Sequence, residues 1–421
     1  MRHFLTQIVT CDKMEVLTPQ DWEQKRLRDV CKMYSGSTPS RNDARNFSGK
    51  NMWVSSGELK EKYIYSSKEF ISDKAIADTA LSVMPPGTVI IAIYGLEASG
   101  IRGTASIAAV PCTISQACMG FYDFDSSVYN EYFYYWYIFN GQNIGRKYAQ
   151  GTKQQNLSSE ILSSFPICLP PMAEQRKIAA ILSAQDRVIE LKTRLLEEKK
   201  QLKKYLCHVL LSGRKRFPEY NKPWVKKRLG SILQGRSETC GDRLLSVYSV
   251  SVDCGVVDQI KHLGRSYAAK DISKYTVVEE GDVVYTKSPT GMFPFGIIKQ
   301  SQMVNPGVVS PLYAVYKPLS VGAGYLLHTY FSYPINTKNY LRSLIQRGPK
   351  NTMSISNEDF IKKSMIFPVD LDEVARLADL FKQIVREIRT MSDTIEQEKL
   401  KKKALMQQLL TGKVRVTGKE L

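Results

Sequence analysis

Apolar residues recur at helical spacing in two segments of about 40 residues that contain no Gly or Pro before their ends. In the second segment, from Leu377 to Ile395, the intervals alternate between four and three residues, which is typical of a coiled-coil seam. The first segment repeats this register. Because a long amphipathic helix cannot bury its apolar stripe alone, we predict two helices of roughly 60 Å that pack on each other. The predicted pairing residues are Ile178, Leu182, Ile189, Leu196, Leu377, Phe381, Ile384, Ile388, Met391 and Ile395.

A second apolar row is expected to widen the buried stripe of the first helix. It consists of Ile181, Val188, Leu195, Leu202 and Val209.

The two helical segments are copies of one another. Glu174-Gln-Arg-Lys-Ile-Ala-Ala-Ile-Leu182 matches Glu373-Val-Ala-Arg-Leu-Ala-Asp-Leu-Phe381, and Leu210-Leu-Ser-Gly213 matches Leu409-Leu-Thr-Gly412. The numbering offset is 199 in both cases, so nothing is inserted or deleted between the two signatures. A pseudo-two-fold axis that relates the halves predicts an antiparallel helix pair.

The segment before each helix is expected to be a mostly-β globule, because short β-branched runs alternate with Gly, Pro and Asn turns. The segments share landmarks, such as Trp22 and Trp224, each followed closely by Lys-Arg-Leu. We therefore predict an α+β chain in which each of two globules precedes a long helix. The predicted ranges are a first globule at 1–170, a helix at 171–213, a second globule at 214–369, a helix at 370–412 and a tail at 413–421.

Composition narrows the possible functions. The 421 residues contain 59 Lys and Arg against 41 Asp and Glu, a net charge of +18, which favours a polyanion partner such as nucleic acid over a surface kept basic for solubility. No apolar run is long enough to span a membrane, and the first residues lack the apolar core of a secretory signal. Eight Cys without close pairing indicate reduced thiols and a cytoplasmic protein.

Motifs of catalysis and metal binding are missing. The sequence has no phosphate-binding Gly-x4-Gly-Lys-Ser/Thr and no Asn/Asp-Pro-Pro-aromatic tetrapeptide of an amino-methyltransferase. Asp43 with Glu58 and Lys60 fits a nuclease pattern only by a spacing that is common by chance, and four His make a zinc site improbable. We therefore expect no catalytic residue, no metal and no cofactor in this chain.

Basic and amide residues in turns are the candidates for contacts to DNA. Lys and Arg suit phosphates, while Arg, Asn and Gln read base edges through paired hydrogen bonds. For the amides near 154–156, capping of the next helix is an equally good interpretation. For each single cation, a solvated position on the surface is an equally good interpretation. The candidates are Arg41, Arg45, Arg102, Arg146, Lys147, Lys153, Gln154, Gln155, Asn156, Lys261, Arg265, Lys287, Arg342, Arg347, Lys350, Asn351 and Thr352.

Two further features have competing interpretations. The aromatic run Tyr132 to Phe139 is expected to pack in the core rather than form a stacking platform, because proteins that read duplex DNA seldom unstack bases.

The segment 171–216 carries 12 basic and 5 acidic residues. Its lysines, including Lys199, Lys200, Lys203 and Lys204, are interpreted as a surface along which DNA lies, with a solvated coiled-coil face as the alternative.

The repeated order of landmarks resembles the specificity subunits of type I restriction-modification systems. The resemblance is carried by Leu169-Pro-Pro-Met-Ala-Glu-Gln-Arg-Lys-Ile-Ala-Ala-Ile-Leu182, the Gly151-Thr-Lys-Gln-Gln-Asn-Leu157 stretch and the closing Leu210-Leu-Ser-Gly213. In the second half Asp370-Leu-Asp-Glu-Val374 departs from the Pro-Pro-x-x-Glu-Gln pattern.

The resemblance implies a non-catalytic subunit that reads a split, asymmetric site in double-stranded DNA. Each globule would be a target-recognition domain, and the helices would fix the gap and dock two modification subunits, which methylate adenine with S-adenosylmethionine. Restriction subunits, which use ATP and Mg²⁺, would join this core. The alternatives are a methyltransferase-only system and a non-catalytic coiled-coil scaffold.

Overall fold

The structure is a computed structural model that describes residues 7–11, 14–149, 156–347 and 353–416. The chain divides into two compact units. Unit 1 comprises Met1–Lys192 with Thr394–Leu421, and unit 2 comprises Thr193–Asp393. Each unit therefore holds one globule together with one part of each long helix. The predicted α+β fold is confirmed, and its elements alternate along the chain as two series of strands, each closed by a long helix.

The first half of the chain contains twelve described strands and five helices. The strands are β1 (Gln7–Cys11), β2 (Met14–Thr18), β3 (Glu23–Arg26), β4 (Lys32–Ser35), β5 (Asn51–Val54), β6 (Tyr63–Ile64), β7 (Glu69–Ile71), β8 (Val89–Ala92), β9 (Ala105–Ala108), β10 (Thr113–Ile114), β11 (Cys118–Tyr122) and β12 (Pro166–Leu169). The helices are α1 (Leu27–Val30), α2 (Asp73–Asp78), α3 (Asn130–Tyr148), α4 (Ser159–Ser163) and α5 (Met172–Leu210).

The second half repeats this series. Its described strands are β13 (Val225–Arg228), β14 (Leu233–Gly235), β15 (Ser246–Ser251), β16 (Gly255–Asp258), β17 (Thr276–Val278), β18 (Val283–Thr286), β19 (Ile297–Gln300), β20 (Gly307–Val309), β21 (Tyr313–Pro318), β22 (Gln346–Arg347), β23 (Met353–Ser354) and β24 (Ser364–Phe367). Its helices are α6 (Gln259–Leu263), α7 (Val321–Phe331), α8 (Pro334–Leu341), α9 (Asn357–Lys362) and α10 (Leu371–Leu409).

The two globules share the order of four strands in the main sheet, although the sheets differ in their number of strands. The main sheet of unit 1 has the strand order β4-β11-β8-β9-β6, and that of unit 2 has the order β14-β21-β18-β19. In each unit a second sheet contains a parallel pair, β5 with β10 and β15 with β20. A two-stranded ribbon joins the start of each globule to its end, β3 with β12 and β13 with β24. The internal repeat therefore extends from the helices to the globules.

A turn that enters the main sheet is repeated with its backbone geometry. Gly87 precedes β8 with φ +87°, and Gly281 precedes β18 with φ +88°. A side chain is strained at such angles, so Gly is favoured at both turns. This is the physical reason that the Gly-x-Val pattern recurs in the two halves.

The aromatic run of the first half forms the core of unit 1. In α3, Tyr132, Phe133 and Tyr135 are fully buried, and the ring centroid of Phe133 lies 5.1 Å from that of Phe121 in β11. The expectation that this run packs in the core, rather than offering a platform for bases, is confirmed.

In unit 1 the long helices run antiparallel. Asp186 of α5 forms an ion pair with Lys402 of α10 at 2.5 Å, and Lys192, further along α5, pairs with the earlier residue Glu398 at 2.7 Å. Gln185 also donates to the carboxylate of Glu398 at 2.8 Å. Ile178 and Leu182 are completely buried against the core of this unit.

In unit 2 the helices run antiparallel as well. Lys199 of α5 pairs with Glu387 of α10 at 2.7 Å, and Arg216, just beyond α5, pairs with Glu373 at the start of α10. Of the predicted pairing residues in this unit, Leu196, Leu377 and Phe381 are buried, while Ile384, Ile388 and Met391 are partly buried. Ile395 is buried in unit 1, where Ile189 is partly buried.

The second apolar row of α5 is exposed over most of its length, so the expectation of a wider buried stripe is wrong there. Val188 is 37% exposed, Leu195 44% and Leu202 52%, whereas Val209 is buried. The reason is that the partner surface covers only the first row, and the globules cover only the ends of the helix.

Each long helix ends in an arginine latch, a name used here for Arg415 with Glu174 and Asp21, and for Arg216 with Glu373. Arg415 donates to both carboxylates, at 2.6 Å to Asp21 Oδ1 and 2.8 Å to Glu174 Oε2. Arg216 donates to Glu373 at 2.7 and 2.8 Å. Glu174 and Glu373 are almost completely buried, so each latch ties the end of one long helix to the start of the other.

No helix in the described part of the chain is long and apolar enough to cross a membrane. The seven Cys for which a state is described are free thiols. Burial raises the pKa of Cys31, Cys112 and Cys118 to about 12, which removes the thiolate that a nucleophile needs.

Candidate nucleic-acid interface

In unit 1 the candidate cations gather where the β8–β9 loop meets the end of α3. The carbonyl of Arg102 accepts a hydrogen bond from Gln142 Nε2 at 2.5 Å. The side chain of Arg102 lies across Gly145, since a Cβ placed there would come within 2.7 Å of Arg102 Cγ. Arg146 and Lys147 are exposed in the next positions of α3. The structure therefore brings together three residues that are up to 45 positions apart in sequence.

The chain returns to the same place after α3. The backbone N–H of Leu157 donates to the carbonyl of Ile93, at the end of β8, at 2.9 Å. Asn156 therefore lies at the base of the β8–β9 loop. Gln142 belongs to this surface and was missed by the sequence analysis, because its position within a helix gave no signal of a loop contact.

Unit 2 repeats this arrangement on the topologically equivalent loop, between β18 and β19. Lys287 follows β18 and lines a cavity of about 270 Å³ with Ile345 and Ile355. Those two residues flank β22 and β23, so Lys287 lies beside the segment that contains Arg347. Arg342 is exposed in a short 3-10 helix just before this segment. Partial burial lowers the pKa of Lys287.

Several candidates cannot be placed or are placed differently. Lys153, Gln154, Gln155, Lys350, Asn351 and Thr352 lie outside the described residues, and for Arg347 only the backbone strand is described. The cap of the helix after residue 156 is Ser158, whose side chain accepts from the N–H of Ile161. The alternative that Asn156 caps this helix is therefore wrong.

Arg41 and Arg45 belong to the region of the second sheet of unit 1, where carboxylates engage both guanidinium groups. Arg41 donates to Glu69 at 2.7 and 2.8 Å and stacks 4.4 Å above the ring of Phe47. Arg45 donates to both carboxylate oxygens of Asp43 and lowers the pKa of that carboxyl to about 2. A phosphate would have to compete with these carboxylates, which weakens both residues as DNA contacts.

Lys261 and Arg265 lie on and after α6, beside the second sheet of unit 2. Lys261 is exposed. Arg265 Nε donates to the hydroxyl of Tyr267 at 2.6 Å, and the guanidinium carbon lies 4.6 Å from the centre of that ring. Tyr267 is 59% exposed, so this surface combines cations with an aromatic side chain that the sequence analysis did not single out.

The interpretation of the helix lysines as a DNA track is weakened by their partners. Lys199 and Lys402 form the interhelical ion pairs described above, and Lys200 lies 3.8 Å from Glu197. The interpretation is weakened for Lys199 and Lys200 only, because no ion pair among the described residues involves Lys203 or Lys204 and the segment keeps most of its excess positive charge.

The acidic residues of the chance nuclease pattern have structural partners. The carboxylate of Asp43 accepts from the backbone and side chain of Arg45. Glu58 accepts from the backbone and hydroxyl of Ser55, which forms a capping box. Among the described residues, no group of His, Cys, Asp and Glu is arranged to hold a metal ion.

Comparison with known proteins agrees with this architecture. The family profile described as "Type I restriction modification DNA specificity domain" matches residues 19–201. Residues 19–201 thus match a type I restriction-modification DNA specificity domain. One curated relative, the MjaIX specificity subunit of Methanocaldococcus jannaschii, is 29% identical over 237 residues, which cover 52% of this chain and 53% of that protein. The chain thus spans about half the length of that relative.

One further relative extends the similarity over nearly the whole chain. The MjaVIII specificity subunit of the same organism is 21% identical and is matched over 94% of both chains. The EcoR124I/EcoR124II specificity subunit of Escherichia coli is 26% identical over 39% of this chain and 41% of that protein. The crystal structure of an S subunit from M. genitalium has a TM-score of 0.56 at 13% identity and covers 96% of this chain and 99% of that one. That likeness concerns the fold.

Proposed function

We propose that this chain is a type I restriction-modification specificity subunit that reads a split, asymmetric site in double-stranded DNA, with one half-site read by each unit. The observation that carries the proposal is the pair of equivalent loops, β8–β9 and β18–β19. The described residues beside each loop differ: Arg102 lies with Arg146 and Lys147 in unit 1, and Lys287 lies near β22 in unit 2. Equivalent frames with different side chains suit two half-sites of different sequence.

The helix pair would fix the gap between the half-sites, because α5 and α10 each run without interruption from one unit into the other. The exposed apolar row of α5 would serve as a docking surface for modification subunits. Two such subunits and the restriction subunits are the proposed partners. S-adenosylmethionine, ATP and Mg²⁺ would be used by those partners, and this chain would contribute recognition without catalysis.

The decisive experiment mixes the purified chain with its neighbouring modification subunit and S-adenosylmethionine, and maps methylated adenines by single-molecule sequencing. Methylation at one split motif with a fixed gap is the expected result. Methylation at unrelated sites would contradict recognition by this chain. A failure of the two proteins to associate would favour the scaffold alternative. Addition of a restriction subunit to the mixture would distinguish a full restriction-modification system from a methyltransferase-only one.

A variant with Arg146→Ala and Lys147→Ala tests the interface in unit 1. Loss of two phosphate contacts should weaken binding and reduce the slope of log affinity against log salt by about 2. Arg187→Ala with Lys399→Ala, which removes two exposed cations of the long helices outside the candidate set, is the matched control. Exchange of residues 22–165 for another recognition domain should change only one half of the motif.

A further inference from the structure

In unit 1, a polar site lies where α3 meets the long helices, and carboxylates of the chain balance the charge of its lysines. Lys402 lies 2.5 Å from Asp186 and 5.6 Å from the ring centre of Tyr135. The Tyr135 hydroxyl donates to the same Asp186 carboxylate at 2.7 Å. Next to it, Lys62 lies 2.5 Å from Glu131. Each lysine of this site therefore faces a carboxylate of the chain.

The internal repeat places a site without these carboxylates in unit 2. The offset of 199 relates Lys402 to Lys203 and Asp186 to Val385. His328 of α7 takes the place of Tyr135, since both residues come from the helix that follows the main sheet. The charge of Lys203 acts on His328, as Lys402 lies over the ring of Tyr135. Val385 is 37% exposed, so an open position with an apolar side chain replaces the acid.

A second lysine adds positive charge to the site in unit 2. Lys299 of β19 is only 5% exposed, and its described hydrogen bond is a long one, 3.4 Å to the hydroxyl of Ser332. Neither Lys203 nor Lys299 forms an ion pair with a described residue, and the acid whose charge reaches Lys299 is the exposed Asp253. Burial and the charge of Lys203 lower the pKa of Lys299 to about 8.

His328 does not supply the missing charge. Its Nδ1 accepts a hydrogen bond from the backbone N–H of Gln300 at 3.1 Å. Burial, with Lys299 and Lys203 nearby, lowers the pKa of His328 to about 3, so the ring is neutral at pH 7. Lys382, which occupies the position of Ser183 in the repeat, adds a further cation near the ring of Tyr325, although Asp379 lies 3.5 Å from it.

We propose that Lys203 and Lys299, with the Ser332 hydroxyl, bind a small oxyanion from outside the chain, a phosphate or carboxylate group. Two close cations without a carboxylate are costly in a buried site, and a bound oxyanion supplies the charge that Asp186 and Glu131 provide in unit 1. A phosphate of a DNA duplex is a poor occupant, because its rigid backbone cannot reach an amine as deeply buried as Lys299. The proposal is independent of DNA recognition.

The test is the thermal unfolding of the full chain in increasing inorganic phosphate, with ionic strength held constant by chloride. Saturable binding should raise the Tm by roughly 2–4 °C. Lys203→Met should abolish the rise, whereas Lys204→Met, which removes the exposed neighbouring charge, should retain it. Val385→Asp, which restores the carboxylate of unit 1, should raise the Tm without phosphate and abolish the response.

Three results would overturn the proposal: no phosphate-specific rise in the wild-type chain, a rise that persists in Lys203→Met, or one that persists in folded Val385→Asp. If Val385→Asp does not fold, the pair of lysine variants decides. A parallel titration with sodium acetate identifies the source, since stabilisation by phosphate alone indicates a phosphate group and stabilisation by acetate indicates a carboxylate. Loss of sequence-specific methylation with an intact phosphate response would refute the proposed function only.

Discussion

At the scale of single residues, buried carboxylates depend on one arginine each. Glu174 is 3% exposed and accepts from Arg415, whose guanidinium also binds Asp21 and lowers the pKa of that carboxyl. Arg415→Met would leave Glu174 buried without its counter-ion, so we expect a loss of about 3–5 kcal/mol in the free energy of unfolding. Urea unfolding followed by circular dichroism measures this. Arg187→Met, which removes an exposed pair with Glu190, should change it by less than about 1 kcal/mol.

A second residue-scale prediction concerns alkaline pH in phosphate-free buffer. Burial lowers the pKa of Lys299 to about 8 in the folded chain, against an ordinary lysine value of 10.5. Between these values the unfolded chain binds the proton that the folded chain has lost, so stability rises with pH through this window. Relative to Lys299→Met, the wild-type chain should gain on the order of 3 kcal/mol between pH 8 and 10.5. Parallel stability curves for the two proteins would contradict this.

The sequence predicted residues of the candidate interface only in part. Arg102, Arg146 and Lys147 were selected as separate cations, and the structure brings them together. Arg41 and Arg45 were selected on equal grounds, yet carboxylates engage both of them. A basic residue in a turn shows in the sequence, but Glu69, which binds Arg41, lies 28 positions away and only folding makes it a partner.

At the scale of elements, the long helices were predictable because their apolar period is sustained over many turns. The extent of their burial could not be predicted, because the apolar period does not show how much of an apolar stripe the neighbouring helix covers. Phe381 is fully buried and Leu202 is 52% exposed, although both belong to predicted apolar rows.

These two residues should respond differently to truncation. Phe381→Ala should cost about 3–5 kcal/mol in the free energy of unfolding, because it leaves a cavity in the core of unit 2. Leu202→Ala should change it by less than about 0.5 kcal/mol. Chemical denaturation measures both.

If the exposed row docks a modification subunit, Leu202→Asp should reduce co-purification with that subunit while the chain stays folded. Unchanged co-purification would exclude this position from the docking surface.

At the scale of the whole molecule, the repeat predicts that half a chain can pair with its copy. A fragment of residues 1–221 keeps Arg216, which in a dimer could bind Glu174 of the second copy as Arg415 does in the full chain. We expect a dimer that recognises a symmetric site, measured by analytical ultracentrifugation and by methylation mapping with the modification subunit. Arg216→Met in the fragment should weaken the dimer, and a fragment that binds DNA without sequence preference would contradict the repeat as a functional unit.

The latch that joins Arg415 to Asp21 makes a circular permutation of the chain feasible. Arg415 holds the end of the described chain against Asp21, which follows the β1–β2 hairpin, so a short peptide could join position 416 to position 19 in place of this hairpin and leave the rest of unit 1 unchanged. The backbone could then be opened between residues 216 and 222. Such a circular permutant would present the two globules in the opposite genetic order while keeping both latches, so the orientation of its DNA motif should be that of the parent chain.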